Sequence, residues 1–138
     1  MREILFRGMT TNGEWVHGNL SRPIKKNLEG YKIAQGHLYI SNEAGSPFAY
    51  EVRPETVGQY IGTPDKNGKD LYEGDIIKHN GTLFTVKYSA SLLGFVCVDR
   101  KHKTHGGQFN WRDGEWMIRV RKYIELVGNI HENKELSL

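Results

Sequence analysis

The chain has 138 residues, a net charge of +3, 38% hydrophobic and 25% charged residues. That length carries one domain, or one domain with a small appendage, on a core that requires neither metal nor disulfide support. The composition excludes disorder, the single cysteine excludes an internal disulfide, and no stretch approaches the roughly 20 apolar residues of a membrane helix.

Sixteen glycines against four prolines, with 7 Tyr, 5 Phe and 3 Trp, favour strands and turns. The opening "MREILFRGMT" is charged at once and lacks an apolar core, so a soluble, cytoplasmic protein with no membrane contact is expected. The 3.6-residue helical period is nearly absent. Short alternating runs recur between turn signals, roughly every eight to twelve residues, as in all-β folds. Glu3–Arg7 is the first expected strand, and Asn12-Gly13 turns it into a hairpin with "EWVHGNL". "SRPIKKNLEG" reads as a polar connection. "YKIA", "HLYIS" and "FAYEV" read as strands, broken at Gln35-Gly36 and at "NEAGSP". Pro54 suits the first position of one helical turn.

In "GTPDKNGKDLYEGDIIKHNG", Gly62 to Gly81, three bends are expected: Asp65 to Gly68, Glu73-Gly74-Asp75, and Asn80-Gly81. "IIKH" and "LFTVKYSA" are strands, the latter with Phe84, Val86 and Tyr88 on one face and Thr85 and Lys87 on the other. "LLGFVCVDR" follows, then the basic loop "KHKTHGGQ". The run "EWMIRVRKYIELVG" is expected to close the sheet, with Trp116, Ile118 and Val120 inward and Met117, Arg119 and Arg121 outward. The tail allows one helical turn. The expected architecture is all-β with minor helical turns: N-terminal hairpins over residues 1–55, then a small SH3-like barrel over 56–138. The two are either separate parts or one compact unit.

The acidic corner invites a metal reading. A calcium loop wants oxygen ligands at its first, third and fifth positions, glycine at the sixth and a bidentate Glu at the twelfth. Counting from Asp65 puts Lys69 fifth, Asp70 sixth and Ile76 twelfth; moving Gly68 to sixth puts Thr63 first and Gly74 last. Both registers fail, so the corner reads as bends and no metal is expected. Asp70, Glu73 and Asp75 near His79 are the nearest thing to an acid–base set, yet each has a local turn role. His102 and His105 lack two further zinc ligands. Cys97 lies in the apolar run "GFVCVD" and reads as buried and inert. No nucleophile elbow or phosphate loop is present. No catalytic residue, cofactor or enzyme activity is expected.

Charge is unevenly spread. Ile76–Tyr123 carries nine Lys/Arg (Lys78, Lys87, Arg100, Lys101, Lys103, Arg112, Arg119, Arg121 and Lys122) against Asp99, Asp113 and Glu115, a net +6, and the remainder is −3. Such polarity suits an anionic partner. Arg100, Lys101, Lys103, Trp111, Arg119 and Arg121 are the candidate nucleic-acid-binding residues, with Phe109 a second stacking ring. The competing readings are a charged, solubilising surface around core aromatics, and a module that pairs its sheet edges with another copy or with a phage or host protein.

The stretch "VGQYIGTPDKNGKDLYEGDIIK" resembles the signature of YopX-like phage and prophage proteins. "ILFRGMTTNGEWVHGNL" and "YIELVGNIHENKEL" resemble the termini of the same family, so the likeness spans nearly the whole chain. Gly62, Asp65, Gly68, Tyr72, Glu73, Gly74, Asp75, Gly128 and Asn129 carry its structural motif. The chain departs at Ile61, where Thr is commoner, and at Thr63-Pro64, where Leu and a polar residue are common. The resemblance implies an SH3-like barrel with an N-terminal β extension, a phage or prophage origin and a bacterial cytoplasm. It implies no known activity, so no catalytic residue is transferred.

Overall fold

The computed structural model describes residues 2–22, 24–33, 37–42 and 49–136, with backbone only for 24–27 and 31–33. The breaks expected at Gln35-Gly36 and at "NEAGSP" fall mostly outside these residues. The chain is predominantly β, with one short α-helix, and divides into two compact units, residues 1–59 and 60–138.

The first unit holds β1 (Phe6–Met9), β2 (Trp15–Ser21), β3 (Ile24–Asn27), β4 (Gly30–Ile33), β5 (Leu38–Ser41) and β6 (Ala49–Val52). The opening strand thus starts later than the sequence suggested. β6, β5, β2 and β1 lie side by side, and β1 also pairs with Gly58 and Gln59 at the start of β7 (Gly58–Pro64), which continues into the second unit. The Asn12-Gly13 hairpin forms as read: Gly13 N–H donates to Thr10 O at 2.9 Å, and Thr10 N–H to Glu14 O at 2.9 Å. Within the supposed polar connection after Ser21 lies a strand, β3, which pairs as a hairpin with β4, the strand that overlaps the expected "YKIA". A 3-10 turn covers Pro54–Thr56. There the Thr56 hydroxyl accepts the Met9 N–H at 2.8 Å and donates to Arg53 O at 2.6 Å, tying this turn to buried Met9 and Val52.

In the second unit β7 meets β8 (Asp70–Tyr72), with a bulge between the pairs Tyr60–Tyr72 and Pro64–Asp70. Then come β9 (Asp75–His79), β10 (Thr82–Ser89), β11 (Gly94–Lys103), β12 (Phe109–Arg112), α1 (Gly114–Val120), a 3-10 turn at Arg121–Tyr123, β13 (Glu125–Asn129) and a 3-10 turn at Lys134–Leu136. The antiparallel order is β12-β11-β10-β9-β13. Asn80 and Gly81 both have positive φ, the two-residue hairpin turn that joins β9 to β10. One face of the sheet gives the core: Ile77, Phe84, Val86 and Cys97 pack with Leu71, Met117 and Ile124. Among the described residues β12 and β13 end the sheet without pairing to each other, so no closed SH3-like barrel is formed.

The expected closing strand through Arg119 and Arg121 is a helix. Asp113 Oδ1 caps it by accepting the Trp116 N–H at 2.9 Å. Met117 is buried, Trp116 and Val120 pack on the same core, and Ile118 is 60% exposed. That is helical spacing rather than alternation. Glu115 in the first turn and Arg119 in the last complement the helix dipole.

Candidate nucleic-acid interface

The acidic corner is bonded internally. Asp65 Oδ1 accepts the N–H groups of Asn67 (2.8 Å) and Lys69 (2.9 Å), and Oδ2 accepts that of Leu126 (2.9 Å) on β13. Burial by itself would raise the Asp65 pKa, but the amides of Leu126, Lys69 and Asn67, with the Lys69 charge, outweigh it and hold the carboxyl below its ordinary value. Asp75 is 1% exposed, and its Oδ2 accepts the Tyr72 N–H at 2.8 Å across the bend at Glu73 and Gly74. Gly74 has φ +90°, donates its N–H to Val86 O and accepts from Ile130 N–H, both at 2.9 Å. A side chain there would be strained and would crowd His131 and Ile130. Gly62 lies at the β7 bulge and Gly68 closes the Asp65 turn. Gly128 lies where a Cβ would meet the Asn133 side chain, whose Oδ1 accepts the Asn129 N–H at 3.1 Å. Asn129 Oδ1 in turn accepts the N–H groups of His131 and Glu132. The motif residues therefore clamp β8, β9 and β13 together.

The basic and aromatic residues gather on β10 to β12. Strand alternation turns Lys87, Val96, Val98 and Trp111 away from the Phe84–Val86–Cys97 core row, and Lys87 pairs with Val96 and Val98 with Trp111 across the strands. With Phe109 and Leu92 these side chains line a hollow of about 350 Å³. Trp111 is 47% and Phe109 40% exposed, so both side chains remain half open to solvent. Lys103 Nζ stands 4.9 Å from the Phe109 ring centre. Burial, and then the Arg100 charge, push the Lys87 pKa down.

The structure therefore brings Lys103 and Trp111 together with Phe109, whereas Arg100 acts on Lys87 by its charge and lines a separate small cleft with Lys101. Lys103 lies on β11 itself rather than in the loop expected there, and Arg100 lies on β11 as the run "LLGFVCVDR" suggested. Lys101 lines a different hollow. Arg119 and Arg121 ride on α1 and the 3-10 turn after it, not on a strand beside Trp111. Lys87 was missed as a candidate, although its place opposite the apolar row of β10 was readable from alternation. Cys97 is buried, which pushes its thiol up to about 12, far from a nucleophile's range. Among the described residues no group of three or more His, Cys, Asp or Glu could hold a metal ion, and no helix is long and apolar enough to cross a membrane.

No curated protein matches the sequence. A solved crystal structure of a protein from Enterococcus faecalis is similar at 22% identity and a TM-score of 0.46, with 99% of each chain covered. The family model described as YopX protein matches residues 5–137. Nearly the whole chain lies within that match, from the first hairpin to the Gly128-Asn129 clamp, and the chain belongs to the YopX family.

Proposed function

We propose that the chain is a non-enzymatic binding module that holds single-stranded nucleic acid on the outer face of β10, β11 and β12. The observation that carries this reading is one hollow lined by two half-exposed rings, Trp111 and Phe109, and by Lys87, with Lys103 over the Phe109 ring and the Arg100 charge acting on Lys87. Bases stack on the rings whatever their sequence, and the cations follow the phosphates. The resemblance to phage and prophage proteins supports that origin and the cytoplasm of a bacterial host as its setting. The test is a fluorescence titration with oligothymidine across a salt series. Binding should weaken with salt by roughly 0.7 log units per phosphate contact for each tenfold rise, and Trp111→Ala should cost about 1–3 kcal/mol. A salt-independent affinity, or full affinity in Trp111→Ala, contradicts the proposal.

A second reading rests on β12 as the end strand of its sheet and on exposed Leu92, which lines the same hollow as Phe109 and Trp111 of that strand. An open edge can pair with a second copy or with another protein. Lys101 and Lys103 on neighbouring β11 disfavour edge pairing, as lysines do on exposed edges generally. Concentration-dependent light scattering would favour this reading over the first.

A further inference from the structure

β11 and β12 lose register between Asp99 and Lys103. Asp99 sits at this break and is 5% exposed. Its Oδ1 accepts the Lys101 N–H at 3.0 Å, which by itself braces the bulge. Its Oδ2 lies 2.7 Å from His102 Nδ1. A carboxylate only accepts, so Nδ1 carries the proton and Nε2 points away from the pair. The Asp99 side chain is 6% exposed and the His102 ring 67%. A buried charge thus orients an exposed imidazole, an arrangement the bulge does not require. The ring and Asp99 line a hollow of about 370 Å³ with Lys78, Thr82 and Lys101, and Leu83, Val127 and Leu136 form its apolar wall. These donors come from β9, β10 and β11, and no residue is shared with the lining of the Trp111 hollow.

We infer that this second hollow is a site for a phosphate monoester or inorganic phosphate. Lys78 and Lys101 supply point charges, Thr82 a hydroxyl, and His102 in its protonated form an N–H donor whose charge Asp99 balances. A terminal phosphate has three free oxygens, and donors from three strands around one hollow match it better than they match a chain diester. Asp99 is a positioning residue: it fixes the ring through Nδ1 and does not itself touch the anion.

The test uses the full chain with nitrogen-15-labelled histidine. Inorganic phosphate at millimolar concentration should move the His102 Nε2 signal and leave that of His105 in place. His102→Gln and Asp99→Asn should each weaken phosphate binding by about tenfold, and Trp111→Ala should leave it unchanged. A second arm compares oligothymidine with and without a 5′-phosphate. Tighter binding of the phosphorylated strand, lost in His102→Gln, assigns the site to strand ends; equal binding with a moving His102 signal assigns it to free phosphate. An unmoved His102 signal, or wild-type phosphate affinity in His102→Gln, overturns the site whether or not oligothymidine binds to the Trp111 surface.

Discussion

Asp65 divides its carboxylate between a local task and a distant one. The Asp-Lys-Asn-Gly run made the local bend legible, because Asp bonds nearby amides and Asn-Gly closes turns. The bond to Leu126, 61 residues away, had no sequence signal, since a single acceptor gives no hint of which remote amide it meets. The folded pKa of Asp65 lies below its unfolded value. Its contribution is therefore complete above the unfolded pKa of about 3.9 and is lost as pH falls through the folded value. Asp65→Asn is expected to cost about 2 kcal/mol near neutral pH, with the gap from wild type narrowing below about pH 4. Urea denaturation across pH reads both. Lys87 works the other way. Its lowered pKa means that the folded chain holds this charge at a cost, largest below the folded pKa and relieved as pH rises toward the unfolded one. Lys87→Met is expected to raise the unfolding free energy from urea denaturation slightly, by about 0.5 kcal/mol, while weakening oligothymidine binding. A destabilised variant, or one with unchanged binding, would separate Lys87 from the interface.

At the scale of elements, hairpins were readable and the helix was not. Asn12-Gly13 and Asn80-Gly81 carry turn chemistry at fixed positions, so local sequence determined both hairpins. The stretch Trp116–Val120 satisfies both periods over its short length: alternation selects Ile118, helical spacing selects Met117. The cap at Asp113 and the packing of Met117 on the core decide for the helix. The two readings make opposite predictions. Met117→Asp should cost several kcal/mol, as an unpaired charge buried in the core, and Ile118→Asp should change stability by less than about 0.5 kcal/mol. Thermal denaturation that reversed this order would restore the strand. Strand β3 escaped notice because Lys25, Lys26 and Asn27 gave it a polar composition.

At the scale of the whole molecule, composition and turn spacing made the β class legible, and the motif with both termini made the family legible. Barrel closure was not, because it depends on whether two strands distant in sequence meet, and the end strands β12 and β13 do not pair. The +6 of Ile76–Tyr123 was legible as a total, but its distribution was not. The fold sends Lys87 and Lys103 to the Trp111 surface, Lys101 to the second hollow, Arg100 to a small cleft beside Lys101, and Arg119 to a helix. The central claim is that an anionic strand lies on the outer face of β10–β12. The most direct measurement is an amide and indole chemical-shift map of the full chain on adding oligothymidine at low salt. The expected shifts concentrate at Lys87, Val96, Val98, Arg100, Phe109 and the Trp111 indole. Shifts confined to residues 1–59, or no shifts at all, would contradict it.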